Sequence, residues 1–274
     1  MRASDGLASI GDVAERFQLR TSALRFYEEK GLVTPATRQN GRRLYGPASV
    51  RRVGLIRMWQ QHGLLSLDDI GTLFVPAVPR TRWRGVLETR ASVLDEELRV
   101  IRTACEYLRY FLTCTSDNPL KTCPYIRRDL DEMFGFQGEG PCIIGALARR
   151  YDVRTSTIRY YEDEKLMTSI RVRGRRHYGR EELHRLGFIV LCRQFGHLSL
   201  DDVAVMLRDD VTHGAWQAVV RGRLAALEQR IARNTGAVRY LEHWLTCPGD
   251  DLIGVCPYLA RALDDFLEAS TPRG

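Results

Sequence analysis

Leu24-Arg-Phe-Tyr-Glu-Glu-Lys-Gly-Leu32 is the stretch on which the fold turns. An arginine, two aromatics and two glutamates follow one another and stop at a glycine, as in a short helix that displays a mixed basic and aromatic face. Its kernel, Arg25-Phe-Tyr-Glu28, returns as Arg159-Tyr-Tyr-Glu162, an offset of 134. Beyond it the register shifts to 133: Gly41-Arg-Arg-Leu-Tyr45 returns as Gly174-Arg-Arg-His-Tyr178, Leu65-Ser-Leu-Asp-Asp69 as Leu198-Ser-Leu-Asp-Asp202, and Cys123-Pro-Tyr125 as Cys256-Pro-Tyr258. Trp83 and Trp216 keep the same offset. Matches in one order with one gap mean two copies of one module. The expected modules are 1–134 and 141–274, joined by a glycine-rich linker at 135–140.

Working outward from the kernel, Ile10 to Phe17 and Ile144 to Tyr151 have apolar residues at helical spacing. Thr21 or Ser22, and Thr155 or Ser156, are the expected caps of the second helix, which gives a helix-turn-helix in each copy. The basic stretches Thr37 to Tyr45 and Ile170 to Tyr178 centre on Asn40-Gly41 and Arg173-Gly174. Asn-Gly signals a two-residue hairpin, so each stretch reads as a β wing. Helices are expected at 48–62 and 67–74, with counterparts at 181–195 and 200–207. The winged heads thus cover about 8–76 and 142–209.

A long helix then follows in each copy, at about 84–112 and 217–245. Leu87, Leu94, Ile101 and Leu108 recur every seven residues with Ala91, Leu98, Cys105 and Leu112 between them. Val220, Leu227, Asn234 and Leu241, with Leu224, Ile231, Val238 and Leu245, repeat the pattern. Such heptads predict a coiled-coil seam, and two copies supply each other's partner. Asn234 reads either as a register pin or as an exposed residue where the coil frays. Cys105, Cys142 and Cys192 read as small buried apolar residues, and the two tryptophans as core. The copies close with a cysteine loop and short helix, 113–134 and 246–270. The fold class is mainly α with small β wings: two winged helix-turn-helix heads, each with a long helix and a loop-helix, arranged as a single-chain pseudo-dimer.

The chain has 274 residues and a formal net charge of +7, with 38 arginines but only three lysines. No run approaches the ~18 apolar residues of a membrane span, and the N-terminus lacks the pattern of a secretory signal, so a cytoplasmic protein without a membrane partner is expected. Seven cysteines without an export signal point to thiols or metal ligands rather than a disulfide framework. No phosphate-binding loop, nucleophile elbow or His-Glu metalloprotease motif occurs, and no enzyme is expected. The helix and wing suit DNA: a helix fits the major groove, arginine bonds a guanine edge in two places, and wing arginines neutralise phosphate. The plain alternative is a solvated basic hairpin beside core aromatics. The joint recurrence of helix, wing and basic run weighs against it.

These residues resemble the MerR family of bacterial transcription regulators. The resemblance rests on Gly11-Asp-Val-Ala14, Leu24 to Leu32, Asn40-Gly-Arg-Arg-Leu-Tyr45, His62-Gly63 and Leu67-Asp-Asp-Ile70, with matching runs in the second copy. It implies a homodimer-like assembly, double-stranded promoter DNA and RNA polymerase as partners, and a small-molecule or metal effector. It implies DNA contacts by Arg25, Phe26, Tyr27, Arg38, Arg43 and Tyr45 and by Arg159, Tyr160, Tyr161, Arg171, Arg176 and Tyr178. Arg193 falls at a further contact position, where the first copy has Gln60. Arg42 and Arg175 replace the family's usual wing aromatic. The fusion frees the heads to read different half-sites, and closure within one monomeric chain is expected over a homodimer.

Cys114 and Cys123, and Cys247 and Cys256, lie in loops that resemble those of the family's metal-sensing branch, which implies a soft metal ion as cofactor. The second cysteine of each precedes a proline that should open a helix, whose N-terminus favours a thiolate. His243, one turn before Cys247, could add a ligand, and His213 could reach across to Cys114 and Cys123, although their counterparts are Tyr110 and Arg80, so the two sites would differ. The alternative is that all four are packing residues. Two other functions stay open: an architectural or excision-type winged-helix DNA protein without effector, and a metal or redox binding protein.

Overall fold

The computed structural model describes residues 6–76, 78–135, 141–249, 252–253 and 256–270. Of the expected linker only Gly135 falls among them, and part of the second cysteine loop also lies outside. The first repeat runs β1 (Ala8–Ser9), α1 (Ile10–Arg16), α2 (Thr21–Glu29), β2 (Thr37–Gln39), β3 (Arg42–Tyr45), α3 (Pro47–His62), α4 (Leu67–Leu73), α5 (Arg80–Phe111), α6 (Pro119–Thr122) and α7 (Pro124–Phe134). The second runs β4 (Cys142–Ile143), α8 (Ile144–Arg150), α9 (Thr155–Asp163), β5 (Ile170–Val172), β6 (Arg175–Tyr178), α10 (Arg180–Gln194), α11 (Leu200–Met206), α12 (His213–Leu245) and α13 (Pro257–Ala269). Two compact units form: residues 1–98 with 232–274, and residues 99–231. No helix among the described residues is long and apolar enough to cross a membrane.

Local chemistry explains the element ends. Ser9 and Asp12 form a reciprocal capping box at α1, and Ser66 with Asp69 and Ser199 with Asp202 do the same at α4 and α11. The expected threonine or serine caps of α2 and α9 are corrected. Arg20 and Arg154 occupy those cap positions without a side-chain bond, because Thr21 and Thr155 are already the first helical residues. The wing turns take φ of +50° and +76° at Asn40 and Gly41, and +48° and +77° at Arg173 and Gly174, as a tight hairpin requires. Each wing also gains a third strand that the hydrophobic pattern did not reveal, since two residues cannot establish alternation: the sheet orders are β1-β3-β2 and β4-β6-β5.

The first unit packs the first head with the C-terminal end of the chain. Helix α13 lies against α3, where a Cβ on Gly54 would stand 2.8 Å from Leu267 Cδ2 and 3.1 Å from Leu263 Cδ1. Glycine is what permits that approach. Arg16 Nη2 donates to the Leu267 carbonyl at 2.9 Å, closing an open helix end, and Arg51 pairs with Asp264. Leu87, Leu94, Leu98, Val238 and Leu241 are buried. Asn234 is buried as well, and its Nδ2 donates to Glu97 Oε2 at 3.1 Å. The frayed-coil alternative fails, because a buried amide without a partner costs about 1–3 kcal/mol and this one is paired.

The second unit repeats the plan around the second head. Helix α7 lies against α10, and a Cβ on Gly187 would meet Leu130 at 2.9 Å and Phe134 at 3.2 Å. Asp131 accepts from Arg180 at 2.8 Å and bonds buried His184 at 2.6 Å, and Arg127 adds a bond to Glu181 at 2.6 Å. Ile101, Cys105, Leu108, Cys192, Val220 and Leu227 are in its core, and Arg109 pairs with Glu228 at 2.7 Å. Cys142 is only half-buried, at the sheet edge. The long helices begin at Arg80 and His213, a turn before the expected 84 and 217. Trp83 and Trp216, both fully buried, therefore sit inside the first turn rather than at its start.

Candidate nucleic-acid interface and cysteine loops

In each head a glutamate on the second helix ties down the wing. Glu28 accepts the Tyr45 hydroxyl on one oxygen and Arg43 Nε at 2.7 Å on the other. Glu162 accepts the Tyr178 hydroxyl at 3.1 Å and pairs with Arg176 Nε at 3.0 Å. Burial and the neighbouring carboxylate push both tyrosines above their ordinary pKa, so they remain neutral donors. The side chains expected to touch DNA thus fall into two sets. Tyr27, Tyr45, Tyr161 and Tyr178 are buried, and Arg43 and Arg176 are half-buried on glutamates. Arg25, Phe26, Arg38, Arg159, Tyr160, Arg171 and Arg193 are exposed, with 43% of Phe26 and 50% of Tyr160 open to solvent. An aromatic that exposed is not core, so the plain alternative loses its main support.

The sequence reading missed the two glutamates, although both stood in the quoted motif; that a carboxylate bridges helix and wing is visible only once the hairpin folds back. It also missed Arg57. Tyr27 donates its hydroxyl to Gln60 Oε1 at 3.1 Å, and burial raises its pKa while the charge of Arg57 draws it back. At Tyr161 the same downward pull comes from Arg193. Tyr27 and Tyr161 therefore each have a cation nearby, Arg57 in one head and Arg193 in the other, and Gln60 does not leave the first head without one. Arg57 and Gln60 are three residues apart on α3, hence on one face.

The cysteine loops bring their thiols together. Cys247 Sγ lies 3.8 Å from Cys256 Sγ, and Cys123 is close enough to Cys114 to help raise its pKa. Pro124 and Pro257 open α7 and α13 as expected, with Cys123 and Cys256 at the cap. At Cys114, the first cysteine of its loop, burial pushes the pKa up and outweighs the Ser116 amide that pulls it down. His213 reaches the first loop through its backbone: Nε2 stands 3.2 Å from the Cys114 carbonyl and 2.8 Å from Gln217 Nε2.

The family described as MerR HTH family regulatory protein matches residues 8–74 and again 142–210, and one described as MerR, DNA binding matches 183–244. An HTH-type transcriptional activator SoxR homolog of Chromobacterium violaceum is 30% identical over 139 residues, 48% of this chain and 90% of that protein. The HTH-type transcriptional regulator ZntR of Escherichia coli is 38% identical over 106 residues, 36% of this chain and 74% of that protein. The chain belongs to the MerR family.

The HTH-type transcriptional regulator CueR of Salmonella typhi is 44% identical over 66 residues, 24% of this MerR chain and 47% of that protein. The match thus spans about half the length of the first such relatives. No solved structure matches. The thiol geometry tests whether a soft metal ion fits the cysteine loops of this chain. Two thiolates on one tetrahedral ion at about 2.3 Å each would stand ~3.8 Å apart, so the Cys247 and Cys256 pair fits a soft ion. Among the described residues no group of three or more His, Cys, Asp or Glu is placed to complete a larger shell.

Proposed function

We propose that this MerR-family chain is a sequence-specific DNA-binding transcription regulator in which one polypeptide does the work of a dimer. The observation that carries the reading is the pair of exposed Arg-aromatic helix faces, Arg25 with Phe26 and Arg159 with Tyr160, each beside an arginine-bearing wing. Arg25 and Arg159 read base edges in the major groove, while Arg38, Arg171, Arg42 and Arg175 neutralise phosphates. Buried Tyr45 and Tyr178, with Glu28 and Glu162, position helix against wing, and Arg57 and Arg193, beside Tyr27 and Tyr161, take the backbone contact.

Three observations support a pseudo-dimer built on repeats 1–134 and 141–274. The helix that ends the second repeat packs on the first head, and the helix that ends the first packs on the second. Within each unit the half of one long helix is bonded to the opposite half of the other, Glu97 to Asn234 and Arg109 to Glu228, as in an antiparallel coiled coil. Buried heptad positions lie on both helices. Such a chain would bind a promoter with unequal half-sites and distort it so that RNA polymerase engages. The test is selection of sites from random duplex DNA, followed by the mass of the complex. One chain per asymmetric two-part site is expected, and two chains per site, persisting on dilution, would sink the reading. A promoter transcription assay separates it from an architectural role.

A second reading is favoured by the 3.8 Å thiol pair: a soft metal effector at Cys247 and Cys256, with His243 one turn before. Bound there, the ion would be held by two thiolates, and its charge would act on the start of α13, which packs on the first head. Copper(I) and zinc titrations of reduced protein, beside double serine variants of each pair, decide it. Weak binding that neither double variant alters would remove the metal and leave the DNA reading intact.

A further inference from the structure

Both heads carry a cavity at the same place, but its walls differ in charge. In the first unit a cavity of about 450 Å³ lies between α3, the end of α4 and α13, lined among others by Thr34, Ser49, Arg52, Phe74, Leu259 and Leu263. No cysteine is among its described lining residues. Arg52 Nε donates to the Leu32 carbonyl, and the guanidinium carbon stands 3.7 Å from the centre of the Phe74 ring. Among the described residues Arg52 has no ion pair, and its two terminal nitrogens have no hydrogen-bond partner. Burial draws its pKa down, and no neighbouring carboxylate offsets that. The adjacent Arg51 is already paired with Asp264. Ser49 Oγ donates its one hydrogen to the Thr34 carbonyl at 2.6 Å, whereas the Thr34 hydroxyl is left without a bond among the described residues.

From this arrangement we propose that the cavity is a binding site for a small organic monocarboxylate with an aromatic or branched alkyl body. The two terminal nitrogens of Arg52 form the fork that a carboxylate matches in two places, and the Thr34 hydroxyl adds a third donor. Phe74 supports the guanidinium from one side through its ring face. One unpaired cation selects a single negative charge. Buried Leu55, Leu259 and Leu263 face the apolar body, and the volume lies within the range of small-molecule sites. The equivalent cavity of the second unit, about 550 Å³, has Glu182, Arg185 and Leu207 in place of Ser49, Arg52 and Phe74. There Arg185 is held by the Leu166 and Leu207 carbonyls, the second at 3.0 Å from Nη2. Glu182 accepts the Thr168 amide at 2.9 Å and its hydroxyl at 2.7 Å, and Asp209 and Asp210 stand on the same wall. Those carboxylates repel an anion, so the ligand is taken by the first head only, where it touches head and α13 together.

The site is tested without DNA, so its failure and that of the regulator reading are distinguishable. Para-tert-butylbenzoate is titrated into the reduced full chain by calorimetry, with para-tert-butylbenzamide as the uncharged control. One saturable site for the anion is expected. Arg52→Met should weaken it by roughly tenfold or more, since charge-assisted bonds are lost. Ser49→Glu, which places the second repeat's residue in the first head and leaves Arg52 intact, should weaken it as strongly. Thr34→Val should weaken it several-fold, and Thr168→Val should leave it unchanged. Absence of saturable binding, equal affinity for the benzamide, undiminished affinity in Ser49→Glu, or loss on Thr168→Val would each overturn the proposal.

Discussion

The two heads share a backbone and differ in their electrostatics. Both have a capped helix that closes the head, a hairpin turned by two positive-φ residues, a glutamate holding a tyrosine and an arginine, and a glycine where another helix crosses. The cation beside the buried tyrosine, however, comes from Arg57 in the first head and from Arg193 in the second, where the equivalent residues are Val190 and Gln60. The exposed wing strand is Thr37-Arg-Gln in one and Ile170-Arg-Val in the other. The docked helix is held by Arg51 on Asp264 in one, and by His184 and Arg180 on Asp131 in the other. Duplication preserved what steric fit dictates, and charge was free to be placed again from a neighbouring turn.

The largest effect should come from attacking what the heads share. Gly54→Leu and Gly187→Leu each drive a side chain into a neighbour that a single Cβ would already meet under 3.0 Å. Each should cost about 3 kcal/mol or somewhat less by thermal or urea unfolding, as overpacked interiors do. Equal tolerance of both would deny that the crossings are close.

Base reading should come next and should separate the heads. Arg25→Ala and Arg159→Ala should each cost roughly 1–3 kcal/mol on the best site and relax specificity in one half-site only. If one substitution blurs both halves, the heads do not read independently. A smaller effect should sharpen the contrast in cations: Arg57→Ala and Arg193→Ala should weaken binding to all sequences alike and reduce the salt dependence by about one counterion each. Gln60→Ala, by contrast, should leave the salt slope unchanged. An Arg57→Ala protein with the parent's slope would assign the first head's backbone contact elsewhere.

The smallest expected effect concerns acid. Burial opposes ionisation of Asp131, but its bonds to His184 and Arg180 prevail and hold its pKa below the ordinary carboxylate value. A depressed carboxylate contributes stability that is present above its unfolded pKa, near 4, and is lost as pH falls through the folded value. Urea unfolding of the wild type between pH 6 and 3 should therefore show a decline that Asp131→Asn flattens, while lowering stability at pH 6. A parallel acid limb in the variant would assign the decline to other carboxylates.

How much of this could be read from sequence varied with the range of the interaction. The Asn40-Gly41 turn and the prolines that open α7 and α13 were legible, because each depends on residues within a turn of one another. The heptads were legible too, since repetition marks a buried stripe without saying what covers it. Outcomes that required distant segments to meet were not. Tyr45 and Tyr178 stand in motifs that imply surface contacts, yet the hairpin folds them under Glu28 and Glu162. Gly54 and Gly187 read as indifferent helix residues until α13 and α7 lie across them. Asn234 was undecided between buried and frayed until Glu97 came within reach. The sequence by itself determined two copies of one winged module and their secondary structure, because local propensity and periodicity are written into neighbouring residues. The tertiary structure alone decided which arginine stands beside each tyrosine of the second helices and which glycine a distant helix crosses, because those depend on distances between side chains far apart in the chain.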